Sequence, residues 1–322
     1  MSRHTTPEGG EDLGPPDRGR WPMPLSGPRS DRGRTSRAGV AMNSVKSPVI
    51  IGLADKQPTA LRFALREALR SGAKMRVVHA ASIPVQAVYP YLGPVELDGI
   101  KAAGQKVLDD AREFLDQEVA LPPVTFVLSI ASAVDALQEA ASGAQLLVIG
   151  ADDIPWYDRM LGGGVARHMA SHAPCPVVVV PEVAYPATPN GGVVVTLDGG
   201  TSAAGPLTYA FEQASARRHE LHVLHATPPA TLAADAEAIR ANIAEVLAGW
   251  SETYPHVRVI RAFVVDGTES AIVAASAHAE LIVVGRPHSK NVSFALTRPL
   301  AMQVLRRAGC PVAIVPSDYQ GA

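Results

Sequence analysis

The chain has little cysteine, little net charge and no long apolar run. It holds two cysteines in 322 residues and no Cys-x-x-Cys pair, which argues against a disulfide-stapled scaffold and a thiol-redox motif. Each thiol reads as buried and reduced, and a bond between the two is the alternative that sequence leaves open. A net charge of −2 supplies no field to attract nucleic acid or an anionic membrane. No apolar run approaches the roughly 20 residues that span a bilayer, and the amino terminus has no signal-peptide core. A cytoplasmic protein that binds neither nucleic acid nor membrane is the expectation. Gly162-Gly-Gly164 is not followed by Lys-Ser/Thr, so there is no Walker loop.

What the chain has is a repetition. Ala-Pro-Cys175-Pro-Val-Val-Val-Val-Pro is echoed by Ala-Gly-Cys310-Pro-Val-Ala-Ile-Val-Pro, and Leu146-Leu-Val-Ile-Gly150 by Leu281-Ile-Val-Val-Gly285. Val77-Val-His-Ala80 is echoed by Val223-Leu-His-Ala226. Gly150 and Gly285 stand 135 positions apart, as do Cys175 and Cys310. A period of this length means two tandem copies of one domain, not a solenoid of short units.

Each copy alternates short aliphatic runs with longer helical ones. Strands are expected at 49–51, 75–80, 124–128, 146–149 and 177–180, and again at 193–197, 221–225, 257–265, 281–284 and 312–315. Leu61, Ala64, Leu65, Ala68 and Leu69 recur at helical spacing, and Gly72 follows as a stop. A long helix fits within 96–119, with Val107, Leu108, Leu115 and Val119 on one face. Ser132 and Asp135 form a capping box for a helix through Ala141, which Gly143 ends. Another helix is expected over 163–171. Most strand runs are continuously aliphatic, the mark of strands buried on both faces. The expected fold is α/β: two tandem doubly wound domains, each with a five-stranded parallel sheet.

The expected boundaries are a tail over 1–44, one domain over 46–182 and a second over 191–317. Residues 1–44 are rich in Gly, Pro, Arg and Ser and lack periodicity, so disorder is expected there. Seven arginines against five acids in 1–40 make only a slight basic arm. Met42 just precedes the first periodic segment, and translation is expected to begin there. The linker over 182–191 is short, so the domains are expected to pack as a pseudo-symmetric pair.

These residues resemble the universal stress protein family, over essentially all of 46–317. The resemblance rests on the aliphatic strand ending in Gly, the long loop, and the helix that leads into Cys-Pro-Val, all present twice. It implies Rossmann-like α/β domains that pair through their last strands. It also implies one of two branches. One binds ATP through a loop of pattern G-x2-G-x9-G-[ST]; the other lacks that loop and binds no nucleotide. In such a loop, glycines let backbone approach phosphate, and the last pair opens a helix whose free N–H groups face the anion.

In the first copy Gly150 matches the first glycine, Gly163 the third, and Gly164 replaces Ser/Thr. Asp153 stands at the second glycine and adds like charge beside the phosphate path. Asp55 follows the first strand, where the family has an acid that holds ribose or adenine, but its loop runs about three residues short. In the second copy Asp198 matches that acid and Gly285 the first glycine. There His288 replaces the second glycine, and Arg298-Pro299 replaces Gly-Ser, removing a phosphate donor. With Arg286 and Lys290 this loop is basic, suited to another anion or simply hydrated.

His168 and His172 share a helix face, but no further zinc ligand is placed by sequence. His79 and His225 match across the copies and read as hydrogen-bonded structural histidines. The resemblance and the degenerate loops together imply a non-catalytic stress-response regulator or adaptor, with weak ATP binding in the first domain. Its expected partners are another protein and its own second domain, with a further copy of the chain as a second-order pairing. The alternative is an adenine-nucleotide-using enzyme of the same sheet topology. The His-x-Gly-His and Ser-Gly-Gly-x-Asp-Ser motifs of such enzymes are absent, and Leu197-Asp-Gly-Gly-Thr201 is only a faint echo.

Overall fold

The computed structural model of the chain describes residues 46–81, 94–151, 164–182, 191–197, 204–227, 231, 233–286, 304–305 and 307–321. The expectation of a disordered tail lies outside these residues, as do Asp153, Gly163, Asp198, His288, Lys290, Arg298 and Pro299.

The first repeat runs β1 (Val49–Leu53), α1 (Pro58–Ser71), β2 (Met75–Ala80), α2 (Pro94–Asp116), β3 (Val124–Ser129), α3 (Ala133–Ala141), β4 (Leu146–Gly150), α4 (Val165–His172) and β5 (Val177–Val180). The second runs β6 (Val193–Thr196), α5 (Ala204–Arg217), β7 (Leu221–Thr227), α6 (Ala233–Thr253), β8 (Val259–Val265), α7 (Thr268–Ser276), β9 (Leu281–Gly285) and β10 (Val312–Val315). The strands form one ten-stranded sheet in the order β3-β2-β1-β4-β5-β10-β9-β6-β7-β8. Within each repeat every pairing is parallel. Each repeat thus keeps its five parallel strands, and the two sets run on into one sheet.

The aliphatic runs explain the layering. Alternate strand residues face opposite sides of the sheet. Val49, Ile51 and Leu53 face α1 and α2 in a core that continues through Val195, Leu207 and Phe211 of the second repeat. Ile50, Leu147 and Ile149 face the other side, in a core that continues through Ile272, Ile282 and Val304. Each fully buried aliphatic side chain contributes roughly 1.5–3 kcal/mol relative to exposure. Among the described strands only the outer ones, β3 and β8, carry exposed residues.

Local signals set the helix ends. Pro58 opens α1, where its missing N–H costs nothing. Gly72 closes it at φ 65, and Ala73 N donates to the Ala68 carbonyl at 2.9 Å. The corresponding end of α5 has Arg218 at φ 58, a left-handed residue that bears a side chain. Ser132 caps α3, accepting from Asp135 N at 3.1 Å and donating to Asp135 Oδ2 at 2.6 Å. One expectation fails: Val119 is not on the buried face of α2. The helix ends at Asp116, and Val119 beyond it is fully exposed.

The two repeats meet at β5 and β10, the one antiparallel pair in the described sheet. Val177 pairs with Ile314, Val178 with Ala313 and Val179 with Val312. Val178 and Ala313 occupy matching places in the two Cys-Pro-Val runs, so the register is centred on a pseudo-two-fold axis. Beside it α1 and α5 share a buried ion network. Arg217 Nη2 lies 2.5 Å from Glu67 Oε1, and Arg217 Nε lies 3.1 Å from Glu280 Oε1. Arg70 Nη1 lies 2.5 Å from the same Glu67 oxygen. At the place related to Arg217 and Glu280, the first repeat has a neutral pair, Gln145 Nε2 donating to Ser71 Oγ at 3.0 Å. The seam is pseudo-symmetric in backbone and asymmetric in charge.

Candidate functional site

In a doubly wound sheet, ligands bind outside the carboxyl ends of the strands where the order reverses. Here those places are the ends of β1 and β4 in the first repeat and of β6 and β9 in the second. The two can be superposed through their histidines. The β1–β2 register sets Leu53 beside His79, and the β6–β7 register carries Leu197 into the same place beside His225. His79 Nδ1 donates to the Leu53 carbonyl at 2.8 Å, and His225 Nδ1 donates to the Leu197 carbonyl at 2.8 Å. A carbonyl can only accept, which fixes Nδ1 as protonated in both rings. Both histidines therefore hold the loop that leaves the first strand of their repeat.

That equivalence relocates Asp55. Leu53 and Leu197 correspond, so the counterpart of Asp198 is Ala54, and Asp55 falls one residue further along. Asp55 is exposed, and its Oδ1 accepts from Lys56 N at 2.8 Å. The loop between Leu53 and Pro58 is two residues shorter than the stretch from Leu197 to Ala204. In this shorter loop Asp55 stands one residue beyond the counterpart of Asp198.

A residue missed in sequence fills the place instead. Gln57, 5% exposed, precedes Pro58 and caps α1 with no side-chain hydrogen bond to the helix. Its carboxamide lies over Gly150. A Cβ at Gly150 would stand 2.6 Å from Gln57 Cδ and 2.9 Å from Oε1, and closer still to Nε2. A side chain at 150 would have to push the end of the Gln57 side chain aside. Gln57 Oε1 is buried without a partner. A second residue reinforces the effect. Glu182 Oε1 accepts from Thr59 N at 3.3 Å and from Thr59 Oγ1 at 2.9 Å, so a carboxylate already occupies the positive end of α1. Its Oε2 is also buried and unpartnered. The polar, buried Gln57 just ahead of Pro58 was the only sequence signal for this arrangement.

Gly164 caps α4 without a side-chain bond, as expected where Ser/Thr is missing. In the second repeat, a Cβ at Gly285 would stand 3.0 Å from Pro206 Cγ of α5. Arg286 is not a free cation of the basic loop. Its Nε donates to the Ala170 carbonyl of α4 at 2.9 Å, and its N donates to the Val315 carbonyl at 2.7 Å. Burial holds its pKa below the ordinary guanidinium value, and its Nη2 has no partner. Arg286 straps the second repeat to the first. His168 and His172 stack at 4.5 Å, with His172 Nδ1 3.1 Å from the His168 carbonyl. Among the described residues no three His, Cys, Asp or Glu side chains converge as metal ligands.

Both cysteines are free and buried. Burial pushes the Cys175 thiol up to about 11 and the Cys310 thiol up to about 12. Neither is a thiolate near neutral pH.

Comparison with known proteins follows the repeat boundaries. The model of the universal stress protein family matches residues 48–181 and again 191–316. The chain belongs to the universal stress protein family. A universal stress protein of Mycobacterium tuberculosis is 29% identical over 283 residues, covering 83% of this chain and 95% of its own length. Another from that organism is 32% identical over 225 residues, covering 65% of this chain and 80% of its own length. Among solved structures, a universal stress protein from Archaeoglobus fulgidus aligns with a TM-score of 0.63 at 15% identity, over 83% of this chain and 95% of that one. At that identity the likeness speaks to the fold alone. Among the described residues no helix is long and apolar enough to cross a membrane.

Proposed function

We propose that this family member is a non-catalytic stress-response regulator or adaptor that acts through a protein partner, with ATP binding that is weak and confined to the first repeat. The observation that carries the reading is the Gln57 carboxamide over Gly150. A phosphate chain approaching the bare strand end must displace it, and must also meet the Glu182 carboxylate at the first turn of α1. Like charge there opposes a triphosphate. The residues present therefore do not fit ATP while Gln57 holds its place. What favours residual binding in the first repeat is the uncapped start of α4 at Gly164. The second repeat has Pro206 against Gly285 and Pro299 in place of a phosphate donor.

The way the reactive groups are used supports a non-catalytic role. His79 and His225 each commit Nδ1 to backbone, and the cysteines are buried and protonated. No nucleophile and base face each other among the described crevice residues. The test is calorimetry of ATP with the full chain, with and without Mg²⁺, together with a turnover assay and mass analysis of copurifying nucleotide. The reading expects no saturation below millimolar ATP, no hydrolysis and no retained nucleotide. Tight binding with ADP release would replace it with an enzyme.

A further inference from the structure

Asp55 lines a hollow beside the strand-end crevice. Between α1 and α2, at the exit of β1, lies a groove of about 330 Å³. Ligand pockets run from roughly 300 to 1,000 Å³, so this one suits a small molecule. Its apolar wall is made by Leu53, Leu61, Val107, Ala111 and Phe114. Its charged residues are Asp55, Asp110 and Glu113 against the single cation Lys56. Gln57 borders this groove as well as the crevice, where its carboxamide lies over Gly150.

We propose that this groove binds a small organic cation with an apolar body, an arylalkyl or alkyl amine. The apolar wall would take the hydrocarbon part, and the acidic residues would hold the ammonium group. Asp110 is the central anion. Its hydrogen bond from Lys106 holds its carboxyl below the ordinary value, so it is ionised at any physiological pH. Its present partners are surface lysines: Lys106 Nζ at 3.0 Å and Lys56 Nζ at 3.4 Å. The Lys56 side chain is 72% exposed, and an exposed ion pair of this kind is worth little. A bound ammonium therefore displaces Lys56 at small cost and keeps its own apolar part out of water. Glu113 has no ion-pair partner among the described residues and adds a second anion at the rim. Arg62, outside the lining, is already engaged, its guanidinium 5.1 Å from the Phe114 ring and 3.2 Å from Glu118.

The site opens between helices and uses neither Gly150 nor Gly164; it shares only Gln57 with the crevice, so amine and ATP titrations read the two separately. The test titrates the full chain with 3-phenylpropylamine, 3-phenylpropanol and 3-phenylpropionate by calorimetry and ligand-observed NMR. The amine is expected to saturate at one per chain, the alcohol to bind at least tenfold more weakly and the carboxylate not at all. Asp110→Asn combined with Glu113→Gln should weaken the amine by about tenfold or more. Lys56→Met, which removes the competing cation, should tighten it. Equal binding of amine and alcohol would reduce the groove to an apolar patch and overturn the proposal. So would amine binding that is indifferent to these three substitutions, or no saturable amine binding at all. Circular dichroism of each variant separates loss of the site from loss of the fold.

Discussion

Replacing Arg217 by Ala should weaken the seam between the repeats more than any surface change. The Arg217 side chain is 1% exposed and that of Glu67 is 6%. Burial disfavours the charge on Arg217, yet the carboxylates of Glu67 and Glu280 outweigh it and hold the guanidinium above its ordinary pKa. Arg217 also donates to the Gln213 side chain and lies beside Tyr209, whose phenol is pushed up by burial and by Glu67. Removing one partner of a buried pair typically costs about 3–5 kcal/mol, because the other charge is left uncompensated. Arg70 remains within 2.5 Å of Glu67, so the lower end, about 3 kcal/mol, is expected. Equilibrium urea unfolding reads this as a lower midpoint at unchanged slope. The double variant Arg217→Met with Glu67→Leu removes both buried charges together and should fall within about 1–2 kcal/mol of the parent, since apolar replacement of a whole pair is often neutral. A loss below about 1 kcal/mol for Arg217→Ala would refute the view that this network holds the two repeats in register.

Other outcomes follow from single features. Cys175 and Cys310 should resist iodoacetamide at pH 8 in the folded chain and react fully in urea. Their folded pKa values lie above the ordinary 9.0, so this stabilisation is complete below about pH 9 and is lost as pH rises toward 11–12. Each thiol should contribute a fall of about 1.4 kcal/mol per pH unit across that window, and Cys→Ser variants should flatten the fall. Arg218→Gly should leave stability unchanged or raise it by up to about 1 kcal/mol, because glycine removes the left-handed strain at φ 58 while costing some unfolded-state entropy. A clear loss on chemical denaturation would show that the Arg218 side chain makes up for its backbone.

Much of the architecture is written locally. The aliphatic runs of β1, β4, β5, β9 and β10 announce strands buried on both faces, and Gly72, Ser132 and Asp135 mark helix ends by chemistry that needs no distant partner. The repeat spacing announces the tandem. The site was less legible because its decisive facts are relations between segments. That Asp55 stands one residue beyond the counterpart of Asp198 follows from a strand register, not from its neighbours in sequence. Gln57 reaches Gly150 across 93 positions of chain, and Arg217 reaches Glu67 across 150. Val119 continues the helical period of α2, yet Pro122 and Pro123 follow closely, and the helix has already ended.

The most direct test of the account compares ATP titrations of the full chain and its Gln57→Ala variant by calorimetry. Gln57 makes no side-chain cap bond to α1, so the substitution clears the crevice without removing a helix contact. The account predicts no saturation below millimolar ATP for the parent and affinity at least tenfold higher for the variant, a gain of about 1.4 kcal/mol. Micromolar binding at one ATP per chain in the parent, unchanged by Gln57→Ala, would contradict it.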